Sequence, residues 1–334
     1  MTRVTIGLAH PNDDAALRAL LANNPMEGSI ELAFLREPSY FAASAVQAPF
    51  HQVIVARDGD AVIGVGFRGV RRAFLNGEVR DVGYLADLRL DERYRGGSLV
   101  ARGYRFLHDL HRDGRAKLYL TVIAGENERA LETIAGNRAG LPHYAPLGRV
   151  FSPAVRLRGW TRRKSDIEVR RGDAREYILQ QLAKRQFAPA ELLVDDFYVA
   201  YDGERVAGAL AVWDQSAFKQ TRVVRYRGAM RLLRRIVRYP PPGETLKSFY
   251  VSYVAVENEE VFRALLDRAV EDHRHRGYHY FIAGAHERDP LLPALQNLPS
   301  TPFWARAFAV YFEDGAEEFA RLDERVPYVE LATL

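Results

Sequence analysis

Apolar and polar positions alternate from Arg3 to Leu8, which predicts a short strand. Asn12 and Asp13 then offer capping side chains before Ala15 to Leu21, where Leu17, Leu20 and Leu21 repeat at helical spacing. Ile30 to Arg36 reads as a second helix, stopped by Pro38. Gln52 to Ala56 and Ala61 to Val70 read as strands joined by Asp-Gly turn chemistry within Arg57 to Asp60. After the tight-turn pair Asn76-Gly77 comes a long, mostly apolar strand, Glu78 to Leu90. The loop Asp91 to Gly97 opens a helix with Val100, Tyr104, Leu107, His108 and His111 on one face, and Gly114 closes it. Lys117 to Ile123 is a buried-type strand, Glu126 to Ile134 a short helix and Val150 to Leu157 a last strand.

The basic, polar segment Gly159 to Ser165 follows, and the plan then starts again. Ile167 to Arg170 is a strand, Ala174 to Lys184 a helix, and Phe197 to Tyr201 with Val206 to Trp213 a hairpin around Asp202-Gly203. Phe249 to Val256 is the long strand of this half, Glu259 to His273 its helix and Tyr278 to Ala283 the next strand. Phe308 to Phe312 and Val326 to Leu331 complete the pattern, with Pro327 confining the last to an edge. Element order repeats while the residues do not, which points to a duplicated fold. The expected organisation is α/β: two tandem domains, 1–158 and 166–334, joined by 159–165. Each holds a mixed, mostly antiparallel sheet flanked by helices. A chain of 334 residues suits two such cores.

Composition narrows the chemistry. With no cysteine, disulfides, thiolate catalysis and cysteine-ligated metals are excluded. No apolar run is long enough to span a bilayer, and the N-terminus lacks the apolar stretch of a secretory signal, so the cytoplasm is the expected compartment. The net charge of +4 is a modest excess that suits a polyanionic ligand and argues against nucleic acid as the partner. His108 and His111 sit three apart without a third ligand at useful spacing, and no metal is expected.

The residues that carry chemistry lie between the long strand and its helix, Leu85-Ala86-Asp87-Leu88-Arg89-Leu90-Asp91-Glu92-Arg93-Tyr94-Arg95-Gly96-Gly97-Ser98-Leu99. A helix start offers unpaired N–H groups and the positive end of the helix dipole. Glycines admit close approach of an anion, and arginines add charge-assisted hydrogen bonds. Together they form a candidate diphosphate cradle.

This segment resembles the acyl-coenzyme A loop of the GNAT superfamily of N-acyltransferases, whose pattern is Arg or Gln, two residues, Gly, one residue, Gly or Ala. Arg93, Gly96 and Ser98 match, with Ser in the last small position; a second register would begin at Arg95. Asn127-Glu128-Arg129-Ala130 is similar to the family's Asn-x-x-Ala helix start, and Tyr144 to Gly148 to the aromatic and glycine that follow it. The resemblance covers residues 1 to 157 in element order.

The resemblance implies two GNAT-like domains, the second degenerate, and transfer of an acetyl or other acyl group from acyl-CoA, a co-substrate, to a small-molecule or peptide amine. Leu88, Arg89, Leu90, Arg93, Arg95, Gly96, Gly97, Ser98, Leu99 and Asn127 would hold the donor. Asp87 is the first choice of base, or else the partner of a nearby arginine in an ion pair, with Asp81 behind it; the two share strand parity if no bulge intervenes. Tyr144 is the first choice of acid, since the Asn127 helix has no tyrosine, and Tyr119 is the second. The equivalent turn of the second half, Val256-Glu257-Asn258-Glu259-Glu260, has no glycine and three carboxylates, which would repel a diphosphate. The run Arg225, Arg227, Arg231, Arg234, Arg235 and Arg238 marks a basic amphipathic helix from Gly228 to Arg238, either a solvated face or a docking face for an acidic partner such as an acyl carrier protein, a nucleic acid or an anionic membrane. Two other functions stay open: long-chain acyl transfer from such a carrier, and CoA binding without turnover. Either a monomer or a dimer fits.

Overall fold

A computed structural model describes residues 4–95, 97–125, 141–237 and 239–334. The first half gives β1 (Thr5–Leu8), α1 (Asp14–Ala22), β2 (Ile30–Leu35), α2 (Tyr40–Gln47), β3 (Phe50–Asp58), β4 (Ala61–Leu75), β5 (Glu78–Leu90), α3 (Leu99–His111), β6 (Leu118–Ala124), β7 (His143–Phe151) and β8 (Ala154–Arg156). The second gives β9 (Glu168–Gly172), α4 (Arg175–Leu182), β10 (Ala188–Pro189), β11 (Phe197–Asp202), β12 (Arg205–Trp213), β13 (Gln220–Tyr226), α5 (Met230–Val237) and β14 (Ser248–Val256). It continues with α6 (Glu259–His273), β15 (Tyr280–Ile282), β16 (Ala285–His286), α7 (Leu292–Gln296), β17 (Ser300–Thr301), β18 (Trp304–Tyr311) and α8 (Ala316–Ala320). The helix expected at Glu126 to Ile134 lies outside the described residues.

The strands form two large mixed sheets. One runs β1-β3-β4-β5-β6-β18-β7-β16, with β10 added to β4; the other runs β17-β8-β15-β14-β12-β11-β9. Each sheet contains one interior strand from the other half. β18 lies between β6 and β7, pairing with Leu118–Ala124 on one side and His143–Phe151 on the other. In return β8 lies between β15 and β17. The stretch expected as one strand, Val150 to Leu157, is therefore two strands in different sheets, broken at Ser152-Pro153 where proline removes a ladder donor.

Ile30 to Arg36 is not a helix. Ile30–Leu35 is a strand paired antiparallel with β13, Ala33 facing Arg222 and Phe34 facing Thr221. Its burial alternates, with Glu31 and Ala33 inward. The six-residue segment suits either periodicity, and a partner nearly two hundred residues away decides for the strand. Val326 to Leu331 is not a strand; Pro327 makes one isolated bridge with Gln186, and the chain ends in a helical turn at Leu331–Thr333. The basic helix forms over Met230–Val237.

Two packed layers position the candidate site. On one face of β4 and β5, Tyr84 and Phe67 pack with Leu17, Leu20, Leu21 and Tyr40 from α1 and α2. On the other, Leu85 packs with Tyr104 and Leu107 of α3. Gly83 lets β6 come close to β5, because a Cβ there would lie 1.9 Å from the Tyr119 ring.

Candidate acyl-donor site

β5 and β6 run parallel, and their ladder covers Gly83 with Tyr119 and Tyr84 with Leu120. Beyond it, the Thr121 hydroxyl donates to Leu85 O at 2.7 Å. From there β6 keeps its other neighbour, β18, while β5 continues to Leu90. The two strands part as a wedge.

At the wedge β5 is bulged. Phe67 pairs with Ala86 and Val65 with Arg89, so β5 has one residue more than β4 over this stretch. Asp87 holds φ at 56°. The bulge ends the parity expected to join Asp81 and Asp87. Asp81 is exposed opposite Arg72, six residues before the bulge. Asp87 is mostly covered, 2.5 Å from an Arg36 Nη, and accepts from the Tyr40 hydroxyl at 3.0 Å. Arg36 lies over the Tyr40 ring at 4.8 Å. Burial pushes the Tyr40 hydroxyl well up, and the Asp87 charge adds to it.

The loop beyond β5 borders a cleft of about 300 Å³ lined by Val4, Arg93, Tyr94, Arg95, Gly97, Ser98, Leu99 and Arg102. Five of these belong to the expected donor set. Arg93 forks onto Asp91 at 3.0 and 2.8 Å, and that guanidinium holds the Asp91 carboxyl down at about 2. Arg95 bonds Leu90 O at 3.3 Å and Asn24 Oδ1 at 2.5 Å. Ser98 stands at the N-cap of α3 without a side-chain capping bond. Leu90 and Leu99 pack together beneath the loop with Ile63 and Tyr94, while Leu88 turns to the α3 side and Arg89 bonds Leu88 O at 3.0 Å. Gly96 and Asn127 lie outside the described residues.

Tyr144 is buried, its hydroxyl 2.5 Å from that of Tyr104, in the cluster that receives Leu88. Burial raises it well above the usual phenol value and brings Tyr104 to about 12. Tyr119 is level with Gly83, below the wedge, where its hydroxyl meets Arg68 at 3.2 Å and His111 at 2.8 Å. Among the described residues no His, Asp and Glu cluster fit for a metal occurs. No helix among them is long and apolar enough to cross a membrane.

A wedge between parallel strands, a bulge on its longer edge, and a basic loop opening a helix beyond it define this half. The chain has the fold of the GCN5-related N-acetyltransferases. A GCN5-related N-acetyltransferase from Anabaena variabilis superposes with a TM-score of 0.51 at 10% identity, over 92% of this chain and 72% of that one. A conserved protein of unknown function from Enterococcus faecalis gives 0.51 at 13% identity, over 92% and 72%. Saccharomyces cerevisiae N-myristoyltransferase with bound myristoyl-CoA gives 0.57 at 9% identity, over 93% and 79%. No family model and no curated protein sequence matches this chain. The GNAT fold thus spans both halves, as the repeated element order implied.

Other residues at the site carried no signal in the sequence. Arg36, just after β2, and Tyr40, the first residue of α2, reach Asp87. Lys219, beside β13, donates to Leu334 O at 2.6 Å and lies over the Tyr250 ring at 5.1 Å. Burial brings its ammonium down to about 7; repulsion by Arg36 adds to this, and Asp87 and Glu330 oppose it. Arg102 was within reach of sequence reasoning, being one helical turn past Ser98.

Proposed function

We propose that the chain is an N-acyltransferase that moves an acetyl or other acyl group from acyl-CoA to an amine of a small molecule or peptide. The observation that supports it is the basic cleft at the start of α3, directly beyond a bulged and splayed strand. Arg93, Arg95 and Arg102 with the first turn of α3 suit a diphosphate. Backbone N–H groups of Leu88 to Leu90 would polarise the thioester carbonyl, whose carbon the deprotonated amine attacks as the CoA thiolate leaves. Asp87, the carboxylate at the bulge, would take the proton from the acceptor amine. Tyr144, kept protonated by burial, would supply one to the thiolate. Since the chain has no cysteine, a thiol reagent reports released CoA without background from the protein.

Calorimetric titration with CoA, acetyl-CoA and palmitoyl-CoA tests the donor site, beside Gly97→Glu and Gly97→Ala. A Cβ at Gly97 meets no atom within 4 Å, so both side chains start into open space. The expected result is binding by the wild type and Gly97→Ala, weakened on the order of a hundredfold in Gly97→Glu. Failure of all three ligands to bind the wild type removes the reading. A preference for the long chain moves the donor to long acyl groups, and an acidic carrier protein then becomes the partner to test at Arg225–Arg238.

A further inference from the structure

β5 and β14 share one irregularity. In each, the ladder to the next parallel strand ends at a tyrosine, Tyr84 opposite Leu120 and Tyr250 opposite Ile282. Three residues on, each has a non-glycine residue at positive φ, Asp87 at 56° and Tyr253 at 52°. At the same place each has one residue more than its antiparallel neighbour: Phe67 and Val65 face Ala86 and Arg89, and Ala211 and Ala209 face Ser252 and Ala255. Three residues further each strand ends, at Leu90 and Val256. Positive φ is costly for residues such as tyrosine, so its recurrence at one offset marks one built feature, a bulge that turns backbone donors away from the ladder.

At β14 those donors are taken by the chain itself. The Tyr253 N–H donates to Glu330 Oε2 at 2.8 Å, and the Val254 N–H to the Tyr328 hydroxyl oxygen at 3.0 Å. That hydroxyl donates to Glu330 Oε2 at 3.1 Å, while the Ala332 N–H donates to Oε1 at 3.1 Å. Glu330 is 2% exposed. Val329 and Leu331 pack with Tyr250 and Ile282, the last ladder pair of β14 and β15. Leu331 also fills the space beside Gly284, where a Cβ would come within 2.7 Å of it. Tyr328 to Leu331 therefore fills the wedge of the second half.

We propose that this segment is a resident substitute for an acyl donor. The Glu330 carboxylate and the Tyr328 hydroxyl occupy the two bulge N–H groups whose counterparts in the first half belong to Asp87 and Leu88. The second wedge is closed from within, and each chain holds one acyl-CoA. The name of substitute donor and that last clause rest on the acyl-CoA reading above; the closing of the wedge does not. Beyond Glu330 the chain reaches the first half at Thr333, whose Oγ1 accepts from Arg71 at 2.6 Å, while Ala332 O accepts from Gln215 of the second half at 2.7 Å.

Amide hydrogen exchange on the full chain, with and without acetyl-CoA, tests this. The Tyr253 and Val254 amides are expected to be protected in the free protein and unaffected by acetyl-CoA, while Asp87 and Leu88 gain protection from it. Glu330→Ala, and more mildly Tyr328→Phe, should speed exchange at Tyr253 and Val254 by about tenfold or more, leaving Ser248 to Tyr250 unchanged. The phenylalanine variant keeps the ring and carries the test if the alanine variant does not fold. Protection of Tyr253 and Val254 by acetyl-CoA, two binding equivalents per chain, or unaltered exchange in the variants overturns the proposal. If acetyl-CoA leaves all of Asp87 to Leu90 untouched, the donor reading fails by itself, and exchange at Tyr253 and Val254 still decides whether the wedge is self-filled.

Discussion

Between β5 and α3 the chain uses eight residues, Asp91 to Ser98; between β14 and α6 it uses two, Glu257 and Asn258. The short turn satisfies its own helix. Asn258 Oδ1 accepts from the Val261 N–H at 2.9 Å, Glu259 and Glu260 stand in the first turn, and Glu257 pairs with Arg205. The long turn leaves Ser98 without a capping bond and places three arginines around the helix start. Both are strand-to-helix turns beside a bulged wedge. At β14 the chain's own side chains answer the helix start and the bulge donors. Donors that side chains of the chain already satisfy are not free for a ligand.

The largest expected effect breaks the open turn: Gly97→Glu should cost on the order of a hundredfold in CoA affinity, with the thermal midpoint unchanged, as read by calorimetry and melting. Next, Glu330→Ala should lower stability by roughly 2 kcal/mol in urea titrations, because it leaves buried N–H donors of β14 and the tail unpaired. Lys219 gives a pH-dependent contrast. Its folded pKa of about 7 lies below the usual lysine value, so the unfolded chain holds the extra proton between the two. Stability should therefore rise with pH from about 7 upward, by at most roughly 1.4 kcal/mol per unit, and this slope should flatten in Lys219→Met. Asn258→Ala should cost about 1 kcal/mol through loss of its cap. Ser98→Ala should cost only a few tenths, since no cap bond is lost. A comparable loss at both caps would erase the distinction between the turns.

Much of this was legible in the residues. Asn76-Gly77 and Asp202-Gly203 fixed hairpins through local turn chemistry, and the apolar run of Glu78 to Leu90 followed by arginines and glycines located the cleft. Parity along β5 was the wrong guide at Asp87, because a bulge is a backbone event that residue type does not announce. Ile30–Leu35 was misjudged because its partner, β13, is supplied by the other half. Arg36 and Tyr40 stayed hidden for a similar reason: they reach Asp87 from the end of β2 and from α2, and only the assembled layers bring them together. Glu330 showed nothing of its burial, since a lone glutamate near a chain end is ordinarily solvated.

The reciprocal placement of β18 and β8 has a bearing on biosynthesis. Among the described residues neither sheet closes on its own half alone: there β6 and β7 meet through Trp304–Tyr311, made roughly 150 residues after β7. During that interval the first half exposes two unpaired strand edges, the kind of surface that chaperones recognise and that pairs with neighbouring chains. A message truncated at the Gly159 to Ser165 segment would yield an open sheet, with β8 still waiting for a partner that was never made.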